Sequence, residues 1–134
     1  MDAPEVIIDG AREGPRYLIT VDSYRVWLQP ALFRVVAILG ITRRFNKVDD
    51  GWVGNEDIGL ADPGLVRRYI HRVRLEVNTE TPEWYIWEVI ENKPREGFYR
   101  LATKPRQIKI PTPQNLMDFR DWTVIELWEK YRHK

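Results

Sequence analysis

An α+β domain is the fold class this sequence predicts, and three observations predict it. Two β-rich runs, Tyr17 to Val21 and Tyr24 to Leu28, flank Asp22-Ser23, a two-residue turn candidate. The segment Asp62 to Val77, "DPGLVRRYIHRVRLEV", opens with a capping carboxylate and a proline and repeats apolar residues at 66, 69, 70, 73 and 77, the period of a helix with one buried stripe. Two further β-rich runs, "EWYIWEVIEN" and "GFYRLAT", are joined by "KPREG", where Pro and Gly mark a turn.

The other elements fall between these. In residues 1–16, "EVIID" is a short-strand candidate and "GAREGP" reads as turn or loop, so this stretch is expected as an N-terminal extension. Pro30 suits the first turn of a helix, and "ALFRVVAILGITRRF" carries apolar residues at 32, 33, 35, 36, 38, 39 and 41, too many for a surface helix and right for a central buried one. Gly40 either ends that helix or sits inside it. "NKVDDGWVGNEDIGL" is loop-like, with room for a strand at Trp52-Val53 and a brief helix capped by Asn55. Asn78 and "TETP" are expected to end the segment 63–77. "KPRQIKIPTPQ" reads as an extended basic connector, and "NLMDFRDWTVIELWEKYRHK" as one closing helix with Leu116, Phe119, Val124, Leu127, Trp128 and Tyr131 on its apolar side. The order is hairpin, helix, short helix, basic helix, hairpin, helix. That is a winged helix-turn-helix layout: an N-terminal β-hairpin, a three-helix core, a C-terminal wing hairpin and an added C-terminal helix. The domain is expected over 17–110, with 111–134 a helical extension that packs on it or on a partner.

Composition narrows the function classes. The 134 residues fit one domain, and 43% apolar residues with six Trp, six Tyr and four Phe can build its core. Without cysteine there is no disulfide, thiolate metal site or Cys nucleophile, which fits a reducing compartment. No apolar run reaches the roughly 20 residues of a membrane helix. "MDAPEVIIDG" lacks the basic and apolar regions of a signal peptide, so the protein is read as cytoplasmic. The net charge of +1 says nothing by itself about a polyanionic partner. Its distribution does. Residues 64–78 hold four Arg against one Glu, and residues 93–109 hold six cations against Glu96, while the acids concentrate in 2–13, 49–57 and 76–91.

With Val66, Ile70, Val73 and Val77 turned inward, Arg67, Arg68, His71, Arg72 and Arg74 fall on the outer half of the helix. Arginine grips phosphate or guanine in a bidentate way, and a helix of about 10–12 Å diameter fits a major groove about 12 Å wide. Lys93, Arg95 and Arg100 belong to the hairpin, whose tip is a candidate for the backbone or minor groove.

These segments resemble the winged-helix DNA-binding domain of OmpR/PhoB-type response regulators over about residues 17–102. "VWLQPALFRVVAILG" is similar to that family's buried helix at Phe33 and the Val-Val-Ala-Ile-Leu run, with Leu32 where an acid is usual. "VRRYIHRVRLE" is similar to its recognition helix at Val66, Ile70, Arg72, Val73 and Arg74; Arg67, Arg68 and Tyr69 depart from it, and Glu76 replaces a cation. "GFYRL" keeps the Gly97, Tyr99, Arg100 and Leu101 of the wing with altered spacing. The resemblance implies base and phosphate contacts at Arg72 and Arg74, with positions 69 and 71 equivalent in place.

Other chemistries find less support. A metal site at His71 lacks converging partners, and His133 lies at the chain end. Asp49-Asp50 and Glu56-Asp57 have no nucleophile or oxyanion donor beside them, so no enzyme is expected. Gly51 and Gly54 lack the pattern and lysine of a phosphate loop. No cofactor, small-molecule substrate or membrane partner is expected. Trp84, Tyr85, Trp87, Phe98 and Tyr99 could stack bases as single-strand binders do, but one face of the hairpin must pack on the helices.

The expected function is therefore sequence-specific or general double-stranded DNA binding, in a transcriptional regulator, with helix 63–77 in the major groove and the wing 92–97 beside it. A homodimer through the C-terminal helix is a candidate assembly. On this reading, Arg72→Ala with Arg74→Ala abolishes duplex binding. The alternative is a protein–protein interaction module on the same scaffold without DNA.

Overall fold

The short strand expected in "EVIID" is present and runs on to Glu13. In a computed structural model that describes residues 3–60, 62–82, 89–93 and 96–132, β1 (Val6–Glu13), β2 (Arg16–Val21) and β3 (Tyr24–Leu28) form an antiparallel meander. The β2–β3 turn is Asp22-Ser23, with φ of 46° and 77°, the left-handed pair a two-residue hairpin needs. The segment expected as an extension is thus an inner strand of the sheet, and "GARE" belongs to it. Its polar residues disguise it, because β1 alternates Val6, Ile8 and Gly10 inward with Ile7, Asp9 and Ala11 half-exposed. Gly10, at φ 79°, marks a register shift between Ile8 and Arg12. A Cβ there would lie 2.9 Å from that of Asn115, whose side-chain amide donates to the Asp9 carbonyl at 3.0 Å. The bulge admits the C-terminal segment.

Helix α1 (Pro30–Phe45) is buried almost continuously from Leu32 to Arg43, because it contacts both sheets and two helices. Gly40 lies inside it, where a Cβ would meet Ile8 Cδ1 at 2.0 Å. Strand β4 (Val53–Gly54) and a 3-10 turn, Asn55–Ile58, lead to α2 (Pro63–Glu80). Asn55 is within that turn, not capping it; Gly54 is at the cap. Asp62 caps α2 by accepting from the Gly64 N–H at 2.8 Å. The helix runs past Asn78 to Glu80, since the Thr81 hydroxyl and N–H both donate to the Val77 carbonyl, at 2.7 and 3.0 Å. Pro82 then bars Thr81 from helical geometry.

Strands β5 (Ile90–Lys93) and β6 (Phe98–Leu101) pair from Ile90↔Leu101 to Lys93↔Phe98, and β4 adds to β6 to give the sheet order β4-β6-β5. The expected strand through Trp84, Tyr85 and Trp87 lies outside the described residues, as do Arg95 and His133.

Two expectations for the C-terminal part are corrected. The basic connector contains β7 (Ile108–Lys109), which pairs parallel with β1 at Val6↔Ile108 and completes the order β3-β2-β1-β7. The closing helix is two helices, α3 (Pro113–Asp118) and α4 (Trp122–Tyr131). Arg120 at φ 58° breaks them, and Asp121 caps α4 by accepting from the Val124 N–H at 3.1 Å. Arg34 of α1 fixes this corner. Its guanidinium donates to Asp121 at 2.7 Å, to Thr123 Oγ1 at 3.0 Å and to the Ile58 carbonyl. The extension therefore packs on its own domain, with Leu116, Val124 and Tyr131 in one core cluster with α1, and Phe119 in edge contact with Tyr17 and Phe33 at 4.7 and 5.0 Å. Among the described residues no helix is long and apolar enough to cross a membrane, and no group of His, Asp and Glu could hold a metal ion.

Candidate nucleic-acid interface

The side chains of α2 divide into a stripe, two flanks and an outer crest. Val66, Ile70, Val73 and Val77 are buried. At 100° per residue, Arg68, His71, Arg72, Leu75 and Thr79 lie on the opposite crest. Arg67, Arg68, His71 and Arg72 are all exposed. Among the described residues, Arg67, Arg68 and Arg72 make no ion pair; Arg72 donates only to the neutral Gln29 side chain at 3.0 Å. Leu75 shares the crest at 51% exposure.

Arg67 and Arg74, seven residues apart, lie on the flank towards the β5–β6 hairpin. Arg67 and Lys93 line one cleft of about 480 Å³ between helix and hairpin, together with Asn55, Asn92 and the carboxylate of Glu96. Arg74 is half-buried and donates to the Ile90 carbonyl at 2.7 Å and to Asn92 at 3.3 Å, which ties α2 to the foot of the hairpin. Its match to the resembling family's base-contacting position therefore coincides with a structural bond.

Arg100 is also engaged internally. It donates to Glu91 and to Asp50, each at 2.6 Å, and its guanidinium lies 4.3 Å from the Trp52 ring centroid. Asp50 also accepts from Arg43, which is buried and donates to the Thr103 carbonyl. This network joins α1, the loop 46–52 and both hairpin strands. Partial burial opposes charge on Arg100, but hydrogen bonds to Glu91 and Asp50 and their attraction hold its pKa above the ordinary value. Burial, then the nearby Arg100 charge, pull that of Arg43 down against Asp50 and Glu91. Hydrogen bonding to Arg100 and its charge, with Arg43 behind them, hold the Asp50 carboxyl below its ordinary 3.8. A carboxylate lowered in this way stabilises the fold above its ordinary pKa, and the contribution disappears as pH falls through the lower native value. Asp50→Asn should therefore lower the thermal midpoint at neutral pH and flatten its decline on acidification; parallel melting curves for variant and wild type at every pH would contradict this.

Lys93 holds its ammonium 4.9 Å from the Trp52 ring centroid and 5.7 Å from that of Phe98, so its charge rests against two aromatic rings that do not line the cleft. The structure thus places Arg68, His71 and Arg72 on the exposed crest of α2, sets Arg67 on the flank beside the hairpin strand that carries Lys93, and turns Arg74 and Arg100 to internal work. Sequence reasoning passed over Gln29, Asn92 and Leu75. Leu75 was recoverable, because a helix whose stripe is 66, 70, 73 and 77 must place 75 outward. Gln29 and Asn92 come from other elements and carry no local signal. Of the acids in the 3-10 turn, Asp57 lines a groove towards α4 and not this cleft. No protein-family model, curated protein or solved structure matches the chain.

Proposed function

We propose that the protein is a winged helix-turn-helix domain that binds double-stranded DNA, with the crest of α2 in the major groove and the β5–β6 hairpin against the adjoining backbone. The observation that carries this reading is the exposed set Arg67, Arg68 and Arg72 on the outer half of an amphipathic helix, none of them in an ion pair among the described residues. Three cations concentrated in about 8 Å of helix rise suit a row of phosphates and guanine edges. The order of helix, basic helix and three-stranded hairpin sheet supports the winged-helix assignment, with the four-residue 3-10 turn Asn55–Ile58 standing where the second helix of a three-helix core is expected. Leu75, apolar and on the same crest, suits contact with a thymine methyl group. Regulation of transcription in the cytoplasm follows as the cellular role of such a domain, and pairing of two copies on symmetric half-sites as its mode of action.

The test is competition between duplex and single-stranded oligonucleotides of equal length and random sequence. The duplex should compete more strongly, since a preformed groove matches a rigid helix; preference for the single strand would transfer the role to exposed aromatic residues. The second reading, a protein-interaction module without DNA, is favoured by the exposed acids Glu56 and Asp57 in the turn before α2. It predicts no duplex affinity at low salt.

A further inference from the structure

A second cationic surface lies at the far end of α1. That helix meets α2 at its first turn, where Gln29 receives Arg72. Its 16 residues end about 24 Å away at 1.5 Å per residue, against β7 and the last turn of α4. There Phe45 lies edge-on to Trp128 at 6.0 Å and parallel to Tyr131 at 6.1 Å. Arg44 lies 5.4 Å from the Phe45 ring centroid and Lys130 5.2 Å from that of Tyr131. An open groove of about 610 Å³ runs between these rings and the loop bearing Lys47 and Val48. A smaller one of about 160 Å³ shares Arg44 and Phe45 and extends to Lys109, Ile110 and Trp128.

Charge and exposure here ask for an explanation. Arg44, Lys47, Lys109 and Lys130 line the two grooves against one carboxylate, Asp49, which accepts from Asn46 at 3.3 Å. The neighbouring Glu129 is paired with Arg132 at 2.9 Å. Helix dipoles favour cations at Arg44 and Lys130, but Lys47 and Lys109 lie beyond both helices. Val48 is 95% exposed, so it serves no core.

We propose that this surface docks an acidic polypeptide segment of a partner protein, with carboxylates on the cationic rim and an apolar side chain held between Val48 and the Phe45 edge. A polypeptide suits the site better than a nucleic acid. Tyr131 is only 4% exposed and both rings are covered by cations, which leaves little ring face for a base to stack on. The proposal does not rest on DNA binding, because the two surfaces are at opposite ends of α1.

The experiment uses the full chain and a fluorescein-labelled synthetic peptide of alternating Glu and Leu, with a second peptide in which Gln replaces every Glu. The Glu peptide should bind, weaken with salt and exceed the Gln peptide. Lys47→Glu with Lys130→Glu should weaken it about tenfold, and Val48→Asp severalfold. Lys47→Glu alone and Val48→Asp should leave the thermal midpoint unchanged because both side chains are exposed beyond the helices, whereas Lys130→Glu should lower it slightly through the α4 dipole. Arg68→Ala with Arg72→Ala should leave peptide binding intact. No binding of the Glu peptide, equal binding of the Gln peptide, or loss in the Arg68 and Arg72 variant alone would overturn the proposal. So would displacement by a single-stranded oligonucleotide that itself needs Lys47 and Lys130.

Discussion

Arg68→Ala combined with Arg72→Ala should abolish measurable duplex binding while far-UV circular dichroism and thermal midpoint stay at wild-type values. Both side chains are exposed on the α2 crest, and neither touches a carboxylate among the described residues. Each arginine placed on a phosphate or a guanine edge contributes about 1–3 kcal/mol, so the pair is worth about 2–6 kcal/mol of binding, and every 1.4 kcal/mol is tenfold in affinity. Alanine is at least as good a helix former as arginine, and only the bond to Gln29 is lost. The fold should therefore not notice. Arg74 does not belong in this experiment, although its sequence match suggests it. Its guanidinium holds the Ile90 carbonyl, so Arg74→Ala would loosen the hairpin from α2 and confuse folding with binding. Affinity unchanged in the Arg68 and Arg72 variant would remove the crest from the interface.

Arg34→Met should destabilise the protein by about 2–4 kcal/mol without touching the α2 crest. The Arg34 side chain is 16% exposed and meets three partners on two elements: Asp121 and Thr123 at the start of α4, and the carbonyl of Ile58 in the 3-10 turn. Methionine keeps most of the packing of the aliphatic stem but takes the guanidinium from the Ile58 carbonyl and leaves the Asp121 carboxylate with only the Val124 N–H. Asp121 also caps α4, so the cap loses its anchor to α1. Urea titration should show a lower midpoint at unchanged slope, as expected for lost stability within a two-state transition. A midpoint equal to that of wild type would mean the corner is held by Phe119, Leu116 and Val124 alone.

Much of the fold was legible because the signals were local. Asp62-Pro63 fixed the start of α2, its valine and isoleucine stripe fixed the buried face, and Asp22-Ser23 fixed the first hairpin turn. What escaped was set by partners distant in sequence. Strand β7 is two residues long and exists through pairing with β1 about a hundred residues earlier, so no periodicity announces it. The α3–α4 break lies in a stretch with continuous helical spacing. Arg120 in the left-handed region and the Arg34–Asp121 bond decide it, and both require the folded context. The candidate site shows the same division. Helical spacing was enough to put Arg67, Arg68, His71 and Arg72 outward. It could not show that Arg74 would reach Ile90, or that Arg100 would be shared between Glu91 and Asp50, since those partners come from other elements.

The outward cations on α2 are the centre of this account, and their most direct test is equilibrium binding of the wild-type protein to random-sequence duplex across a salt series. About four to six phosphate contacts per protomer, at a slope near −0.9 each, give a log–log slope of about −4 to −5. Affinity that falls along that line is the predicted result; no binding at low salt, or binding indifferent to salt, would contradict it.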